Sequence, residues 1–431
     1  MKRGKIDIIS LGCSKNLVDS EHLLRQLQAA GYTVEHDPEH VNGEIVIVNT
    51  CGFIADAQQE SIDTILQLGE MKRRGRIGRL IVMGCLAERF RAELVDELPE
   101  VDRFYGKFDW RGILDYIGKA YRDDLAAERV LTTPGHYAYL KISEGCNRFC
   151  AFCAIPLITG RHHSVPMSNL LDEVRYLRDK GVREFNVIAQ DLSSYGLDLE
   201  NRMMLPELVD RIADIDGVDW IRLHYAYPAQ FPMELLDVMA SRPNVCSYLD
   251  IALQHISDKV LTAMRRHIDR HATERLITAM RQRVPGLHLR TTLMVGFPGE
   301  GEAEFDELME WVKQTRFERM GAFAYSEEAG TYAAQHLHDD VPPEEKQRRL
   351  DSLMALQEGI SMEIQQEKVG RSLRVIVDRE EEDCYVGRTE WDSPEVDPEV
   401  LIDKSQPLTI GDFTTVQVTQ ALPHELIATP I

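Results

Sequence analysis

Cys146-Asn-Arg-Phe-Cys150-Ala-Phe-Cys153 is the stretch around which this chain is organised. Its three thiols follow a C-x-x-x-C-x-x-C spacing, with the aromatic Phe152 directly before the last one. Cysteine thiolates hold iron–sulfur clusters, and a four-iron cluster normally takes four of them. Because no fourth cysteine is nearby, a cluster held here leaves one iron open to chelate a small molecule. The alternative is a zinc site completed by His162 or His163, since thiolate and imidazole are the usual ligands of zinc.

Length and composition define the class of protein. The 431 residues suffice for two or three domains with buried cores. Eight cysteines are too few for a disulfide scaffold and indicate a reducing compartment. The chain start lacks the apolar run of a signal peptide, and no apolar stretch reaches the length of a membrane span. We therefore expect a cytoplasmic protein without a membrane partner.

The first part of the chain, from Lys5 to about Ala120, has the pattern of an α/β layer. The predicted strands are Lys5–Leu11, Glu44–Asn49 and Arg79–Met83. The predicted helices are Ser20–Ala30, Ala55–Arg74 and Ala87–Leu98. Strands that alternate with helices favour a parallel sheet.

Each of these strands is followed by a cysteine beside a glycine, namely Cys13, Cys51 and Cys85. The ends of parallel strands lie along one edge of the sheet, where open α/β folds place their ligands. A single cysteine at such a position is usually a small buried apolar residue. Because all three strands share the feature, we predict a second cluster held by three thiolates.

The stretch from Cys146 to Cys153 resembles the signature of the radical S-adenosylmethionine enzymes. A three-cysteine α/β layer followed by this signature resembles the methylthiotransferase family. Two further stretches are similar to the RimO-like branch, which modifies a ribosomal protein, rather than to the branch that modifies tRNA. These are Ser10-Leu-Gly-Cys-Ser-Lys-Asn-Leu-Val-Asp-Ser-Glu21 and Val48-Asn-Thr-Cys-Gly-Phe-Ile54.

The resemblance implies two 4Fe-4S clusters and S-adenosylmethionine as cofactors. It implies that one S-adenosylmethionine methylates sulfur at the N-terminal cluster, while another is cleaved at the second cluster to a radical that abstracts hydrogen. The implied target is the β-carbon of an aspartate in small-subunit ribosomal protein twelve. The alternatives are the same chemistry on a tRNA adenosine, and a non-enzymatic scaffold that binds zinc or iron. The implied cluster ligands are Cys13, Cys51, Cys85, Cys146, Cys150 and Cys153.

The middle of the chain repeats a strand-then-helix pattern, and the resemblance implies a partial (β/α)6 TIM-type radical S-adenosylmethionine barrel. The predicted strands are Tyr137–Ser143, Glu184–Ala189, Trp220–Tyr225, Tyr248–Leu253, His288–Val295 and Arg319–Tyr325. The cysteine loop follows the first of them, so it lies at the barrel face where active sites gather. Residues just after the other strands are expected at the same open end of the barrel, which we call the mouth. They are Gln190, Asp191, Tyr227, Pro228, Gln254, His255, Gly296-Phe-Pro-Gly299, Tyr325 and Ser326.

By resemblance, three residues contact the cofactor: Phe152 in the cysteine loop, Gln190 on the methionine side and Gly296 on the adenine side. The chain departs from the family at Thr159 and Val165, where arginines are usual. Arg161, His162 and His163 are the remaining cationic candidates, and we expect the two histidines to lie in a solvated loop. The sequence assigns no catalytic residue beyond the cluster ligands, and Cys246 and Cys384 are interpreted as structural.

The last part of the chain begins with a long polar helix from Pro342 to about Glu367. Residues 370–431 form short alternating runs typical of a small antiparallel β-barrel, which resembles the TRAM domain. We predict domains at 1–125, 132–364 and 367–431.

Charge indicates the class of partner. The chain has 49 Lys and Arg against 71 Asp and Glu, and residues 367–431 have six basic against 14 acidic residues. Such a surface favours a basic ribosomal protein over direct nucleic-acid binding. The run Glu380-Glu-Glu-Asp383 is the candidate capture site. The resemblance also implies a reductant protein such as flavodoxin or ferredoxin, and we expect a monomer.

Overall fold

The computed structural model describes residues 2–431. The chain begins with a five-stranded parallel sheet. Across the sheet the strands are Thr33–His36, Lys2–Ser10, Gly43–Thr50, Arg79–Gly84 and Arg103–Phe104. The helices of this part are Ser14–Ala29, Ala55–Arg73, Cys85–Glu97 and Trp110–Tyr116, followed by the 3-10 turn Asp123–Leu125. The predicted α/β layer is confirmed.

Two details of this layer differ from the prediction. Helix Ser14–Ala29 begins at Ser14 rather than at Ser20, because its first turns bury polar side chains such as Asn16 and Asp19. The pattern also misses the edge strands Thr33–His36 and Arg103–Phe104, which are short and lack an apolar run. Both sheet faces are otherwise apolar, as expected of parallel strands covered by helices on each side.

The middle of the chain is a six-stranded parallel sheet in which neighbouring strands follow each other along the chain. The strands are Tyr137–Lys141, Glu184–Ile188, Trp220–Ala226, Val245–Ile251, His288–Val295 and Arg319–Ala324. The larger helices are Met167–Asp179, Leu205–Ala213, Glu234–Ser241, Asp258–Ala263, Arg270–Arg283, Glu302–Thr315 and Pro343–Gln366. The smaller elements are helices Ile155–Ile158, Leu197–Glu200 and Tyr332–His336, the 3-10 turn Leu192–Ser194 and the strand pair Ser143–Glu144 and His163–Ser164. All six predicted barrel strands are confirmed.

The two faces of the barrel strands differ in polarity. Outward-facing residues such as Leu140, Val187 and Leu223 are fully buried against the helices. Their neighbours on the opposite face include the buried polar residues Asn186 and Arg222. A polar inner face requires polar partners, because buried charges are costly when unpaired.

The C-terminal barrel supplies those partners. It is closed, with the strand order Ser372–Glu380, Cys384–Thr389, Glu399–Asp403, Glu425–Pro430 and Phe413–Ala421. The prediction was an antiparallel barrel. One pairing, between Glu399–Asp403 and Glu425–Pro430, is parallel instead.

Ion pairs fasten the C-terminal barrel to the inner face of the six-stranded barrel. Arg388 Nη2 lies 2.7 Å from Glu184 Oε2, and Arg319 Nη2 lies 2.5 Å from Asp392 Oδ1. Glu184 and Arg319 are the first residues of their strands, whereas the cysteine loop follows the end of a strand. The C-terminal barrel therefore occupies the end of the six-stranded barrel opposite the cysteine loop. Among residues 2–431, no helix is long and apolar enough to cross a membrane.

Candidate active site

Six thiols form two sets that we name by position. The N-terminal triplet is Cys13, Cys51 and Cys85. The barrel triplet is Cys146, Cys150 and Cys153. None of the six is in a disulfide bond. Cys85 packs against Ala154, the residue after the last barrel thiol, so the segments that carry the two triplets are in contact.

Asn16 joins the segments that carry the N-terminal triplet. Its Nδ2 donates to the carbonyl oxygens of Leu11 (3.1 Å) and Thr50 (3.0 Å), and the Cys85 thiol donates to its Oδ1 (3.5 Å). Asn16 is 1% exposed, so these bonds form away from bulk water. Asn16 was not among the residues predicted for the site, although its position three residues after Cys13 was a signal.

Glycine is required next to two of these thiols. Gly12 has φ +93°, and a Cβ there would lie 2.8 Å from the Cβ of Cys51. Gly84 has φ +98°, and a Cβ there would lie 2.3 Å from Asn49 Oδ1. These close approaches explain the Gly-Cys pairs of the sequence, because glycine alone allows both the conformation and the contact.

The N-terminal thiols differ in acidity. Burial opposes ionisation of Cys13, but Lys15, the Asn16 backbone N–H and Lys107 outweigh it and lower the pKa of its thiol. Burial raises the pKa of the Cys85 thiol to about 12 and also raises the pKa of Cys51. Metal ligands must be deprotonated, and among these three thiols Cys13 is the one whose surroundings favour the thiolate.

The loop that carries the barrel triplet is held by its neighbours. The Ala151 N–H donates to the carbonyl oxygen of Met264 (2.9 Å), and the Ala151 carbonyl accepts from the Ala333 N–H (2.7 Å). At Gly145, with φ +72°, a Cβ would lie 2.1 Å from the Arg161 carbonyl oxygen. Burial raises the pKa of Cys146 to about 12.

Arg266 contacts the barrel triplet directly. Its Nη1 donates to Cys150 Sγ at 3.2 Å, and its residue is 3% exposed. The Tyr227 hydroxyl donates to the Arg266 carbonyl oxygen (2.7 Å) and lies 3.9 Å from Cys150 Sγ. The sequence predicted Tyr227 in the mouth but missed Arg266, which lies in a loop that carries no motif.

Arg148, inside the cysteine loop, completes this side of the mouth. Its Nε donates to Asp191 Oδ2 (2.7 Å), and its guanidinium carbon lies 4.3 Å from the centroid of the Tyr227 ring. The Arg266 guanidinium lies 4.2 Å from the same centroid, so the ring stands between two cations. Asp191 is therefore in the mouth, as predicted.

A buried ionic network links the two thiol sets. Lys141 pairs with Asp19 and lies 2.5 Å from Glu144 Oε1, while Lys107 Nζ lies 3.2 Å from the same oxygen. Burial opposes ionisation of Glu144, but Lys141 and Lys107 lower its pKa to about 2. Lys107 follows the unpredicted strand Arg103–Phe104, which is why sequence reasoning missed it.

The three residues predicted to contact the cofactor all lie around the mouth. Gln190 Nε2 donates to Glu144 Oε2 (2.6 Å), and its Oε1 is buried without a partner. Phe152 packs edge-to-face on Phe297, with ring centroids 6.3 Å apart. Gly296 has φ +71°, and its N–H donates to Glu300 Oε2 (2.9 Å).

The remaining candidates for the mouth differ in exposure. Gln254 and Tyr325 are buried, each with a side-chain oxygen that has no hydrogen-bond partner. Pro228 and Arg148 line the same open surface groove. His255 is fully buried, and its Nε2 lies 3.6 Å from Glu300 Oε2. Ser326 is exposed.

The expectation of two solvated histidines is half wrong. His163 is exposed, whereas His162 is 6% exposed and its Nε2 lies 3.0 Å from Ser164 Oγ. The strand pair that contains His163 and Ser164 turns His162 inward. At the positions that depart from the family, Thr159 donates to the Ile155 carbonyl oxygen and Val165 packs on the barrel core. Arg161 is exposed.

The two structural cysteines lie outside both triplets. Cys246 is 1% exposed and packs against Trp220, Tyr248 and Ile376, and Cys384 is half-buried at the start of a C-terminal strand.

The donor set fits iron–sulfur clusters. Thiolates are the ligands that hold such clusters, and each triplet offers three of them. Unbridged thiols with cations beside them, as at Arg266 and Lys107, suit a negatively charged cluster.

Family comparisons agree with this geometry. The chain matches the Uncharacterized protein family UPF0004 over residues 5–106, the Radical SAM superfamily over 140–312 and the TRAM domain over 369–431. The radical S-adenosylmethionine superfamily uses S-adenosylmethionine and 4Fe-4S clusters, so the expected cofactors are supported.

Relatives match nearly the whole chain. The ribosomal protein uS12 methylthiotransferase RimO of Parabacteroides distasonis is 63% identical over 426 residues, 99% of each chain. The protein of the same name from Bacteroides thetaiotaomicron is 60% identical over 429 residues, 99% of this chain and 98% of the other. The radical S-adenosylmethionine methyltransferase TsrM from Kitasatospora setae shares the fold, with a TM-score of 0.57 and 14% identity over 86% of this chain and 79% of that one.

Proposed function

The chain belongs to the RimO family of ribosomal protein uS12 methylthiotransferases, and we propose that it adds a methylthio group to the β-carbon of an aspartate in that ribosomal protein. The protein is a radical S-adenosylmethionine enzyme. One observation carries the proposal: the segments that hold two thiol triplets, from distant parts of the chain, meet where Cys85 packs against Ala154.

Each triplet would hold one 4Fe-4S cluster, with S-adenosylmethionine in the mouth near Phe152, Gln190 and Gly296. When bound, these groups would supply one-electron cleavage of the sulfonium and a sulfur that accepts a methyl group and is transferred with it as the methylthio group. Two separate thiol sets suit a reaction that uses S-adenosylmethionine in two different ways.

The protein's own contribution is largely electrostatic. Lys107 and Lys141 keep Glu144 ionised, and Glu144 in turn holds the amide of Gln190. These groups are fixed in place before any ligand binds, so they cost little reorganisation during a reaction. The free Oε1 of Gln190 is then positioned to accept a hydrogen bond from a ligand.

We also propose how the chain is organised and what it binds. Its domains are proposed at 1–125, 132–364 and 367–431. We propose that it is a cytoplasmic monomer that receives electrons from a flavodoxin- or ferredoxin-like reductant. The acidic balance of residues 367–431, with 14 acidic against six basic residues, argues against tRNA as the substrate, because RNA binding requires cations that neutralise phosphates.

The test combines metal analysis with a substrate assay. Anaerobically reconstituted protein should contain two four-iron clusters, and with S-adenosylmethionine and dithionite it should add one methylthio group to the aspartate of purified uS12, as read by peptide mass spectrometry. Bound zinc without acid-labile sulfide would end the proposal. Methylthiolation of tRNA but not of uS12 would overturn the substrate.

A further inference from the structure

An open groove of about 1280 Å³ runs along the outer side of the cysteine loop. Asn147 and Arg148 of that loop form part of its lining. The lining also includes Arg265, His267 and Arg275, together with apolar residues such as Phe231 and Leu276. The groove therefore reaches the segment between two barrel thiols from outside.

The groove differs in charge from the rest of the molecule. Its lining includes three arginines and one acidic residue, Asp269. The Asp269 carboxylate accepts a hydrogen bond from the Ala272 N–H (2.7 Å). Arg265 and Arg275 are exposed, and the ion pairs found in residues 2–431 include neither of them. In a chain with a net charge of −22, two unpaired arginines on one groove form a local positive field.

The wall of the groove is coupled to a thiol through adjacent residues. Arg265 is exposed on the groove, while the next residue, Arg266, is buried and donates to Cys150 Sγ at 3.2 Å. The preceding residue, Met264, accepts the hydrogen bond from the Ala151 N–H of the cysteine loop. A protein seated on the groove would thus lie one residue layer from the barrel triplet, beside the part of the mouth that Arg148 completes.

We propose that this groove is the docking site for an acidic one-electron carrier protein of the flavodoxin class. In the docked complex the carrier loses one electron and the cluster held by the barrel triplet gains it, with no bond formed and no group transferred. The inference rests on the proposed function, because it requires a reducible cluster at the barrel triplet.

The positive charge of the groove favours an acidic carrier protein over the basic ribosomal protein substrate. A ribosomal protein rich in Lys and Arg is repelled by unpaired arginines, whereas an acidic carrier is attracted by them. Electron-transfer encounters also need only small interfaces, which a groove beside the cysteine loop can provide. Two partners of opposite charge can therefore approach two different faces.

The experiment follows reduction of the cluster in the full-length reconstituted protein by reduced flavodoxin in stopped flow, at low and high salt. The test variant is Arg265→Glu with Arg275→Glu, and Arg265→Gln with Arg275→Gln removes charge without reversing it. The control is Arg76→Glu with Arg371→Glu, two exposed arginines outside the groove. Each variant is also reduced with dithionite and titrated with uS12.

The Glu variant should be reduced by flavodoxin at least tenfold more slowly at low salt, with the Gln variant in between and the control unchanged. The difference should shrink at high salt, and dithionite should reduce all variants equally. Equal flavodoxin rates in the Glu variant and the control would overturn the docking site. Loss of uS12 binding in the Glu variant would also overturn it and assign the groove to substrate. Failure of the wild type to form a cluster that dithionite reduces would instead refute the proposed function.

Discussion

Arg266 Nη1 donates a hydrogen bond to Cys150 Sγ at 3.2 Å, in a position where the arginine is 3% exposed. The Tyr227 ring lies against the same guanidinium, 4.2 Å from centroid to carbon. Reduction potentials of iron–sulfur clusters depend on hydrogen bonds to their sulfurs and on nearby charge. This contact therefore bears on how readily a cluster at the barrel triplet takes up an electron.

Replacing Arg266 with Met should lower the reduction potential of that cluster. Reduction adds negative charge, which Arg266 stabilises with its own charge and with a hydrogen bond to sulfur. A hydrogen bond to a charged group is worth about 1.5–3 kcal/mol, which corresponds to a shift of roughly 60–130 mV for one electron. Potentiometric titration followed by EPR measures the shift. The matched control is Arg265→Met, an exposed neighbour, and equal potentials in the two variants would contradict the role of Arg266.

Replacing Cys146, Cys150 and Cys153 with Ala should abolish reductive cleavage of S-adenosylmethionine, because the open iron is lost with its ligands. The N-terminal triplet lies in a different sheet layer, so about half of the bound iron should remain. Chromatography of 5′-deoxyadenosine and iron analysis provide the two readouts. Continued cleavage in this variant would show that the cluster was assigned to the wrong thiols.

Replacing Cys13, Cys51 and Cys85 with Ala should separate the two activities. Cleavage of S-adenosylmethionine should persist, since the barrel triplet and its Arg266 contact are untouched. Methylthio transfer to uS12 should disappear, because the sulfur has lost its anchor. If peptide mass spectrometry detected normal modification, these thiols would be purely structural.

Converting Glu382 and Asp383 to Lys should slow the capture of the basic substrate. Both side chains are exposed, whereas their neighbours Glu380 and Glu381 are paired with Lys404 (2.9 Å) and Arg379 (2.8 Å). The association rate should fall by about threefold to tenfold at low salt, with little change in dissociation. Surface plasmon resonance with uS12 measures both rates. Tighter binding by the Lys variant would refute a capture role for the acidic run.

Lys368 should make stability depend on pH. Burial first, and then the charge of Arg319, lower the pKa of Lys368 to about 8. Below pH 8 the lysine is charged in both states, and its burial destabilises the fold. As pH rises from 8 towards 10.5 the folded state releases its proton first, so stability increases with pH.

Replacing Lys368 with Met should therefore stabilise the protein at pH 7, on the order of 1–3 kcal/mol. The advantage over wild type should disappear as pH approaches 10.5, the ordinary lysine value. Urea unfolding at pH 7, 8, 9 and 10 provides the comparison, with exposed Lys180→Met as the control. A difference that stayed constant across this range would contradict the burial argument.

Most of the architecture was predictable because its signals are local. The alternation of Ile- and Val-rich runs with helical stretches was sufficient for all six barrel strands. The errors occur where polar residues are buried, as in the first turns of helix Ser14–Ala29, or where a strand is as short as Arg103–Phe104.

The sequence by itself determined the three-part fold and the six candidate thiols. Strand ends of a parallel sheet share an edge, and the spacing of Cys146, Cys150 and Cys153 is a property of eight consecutive residues. Only the tertiary structure decided which polar groups accompany those thiols. Asn16, Lys107 and Arg266 reach their sites through contacts between segments far apart in the chain. Their burial is tolerated because folding supplies specific partners for each of them. Those partners are distant in sequence, so no local sequence pattern predicts them.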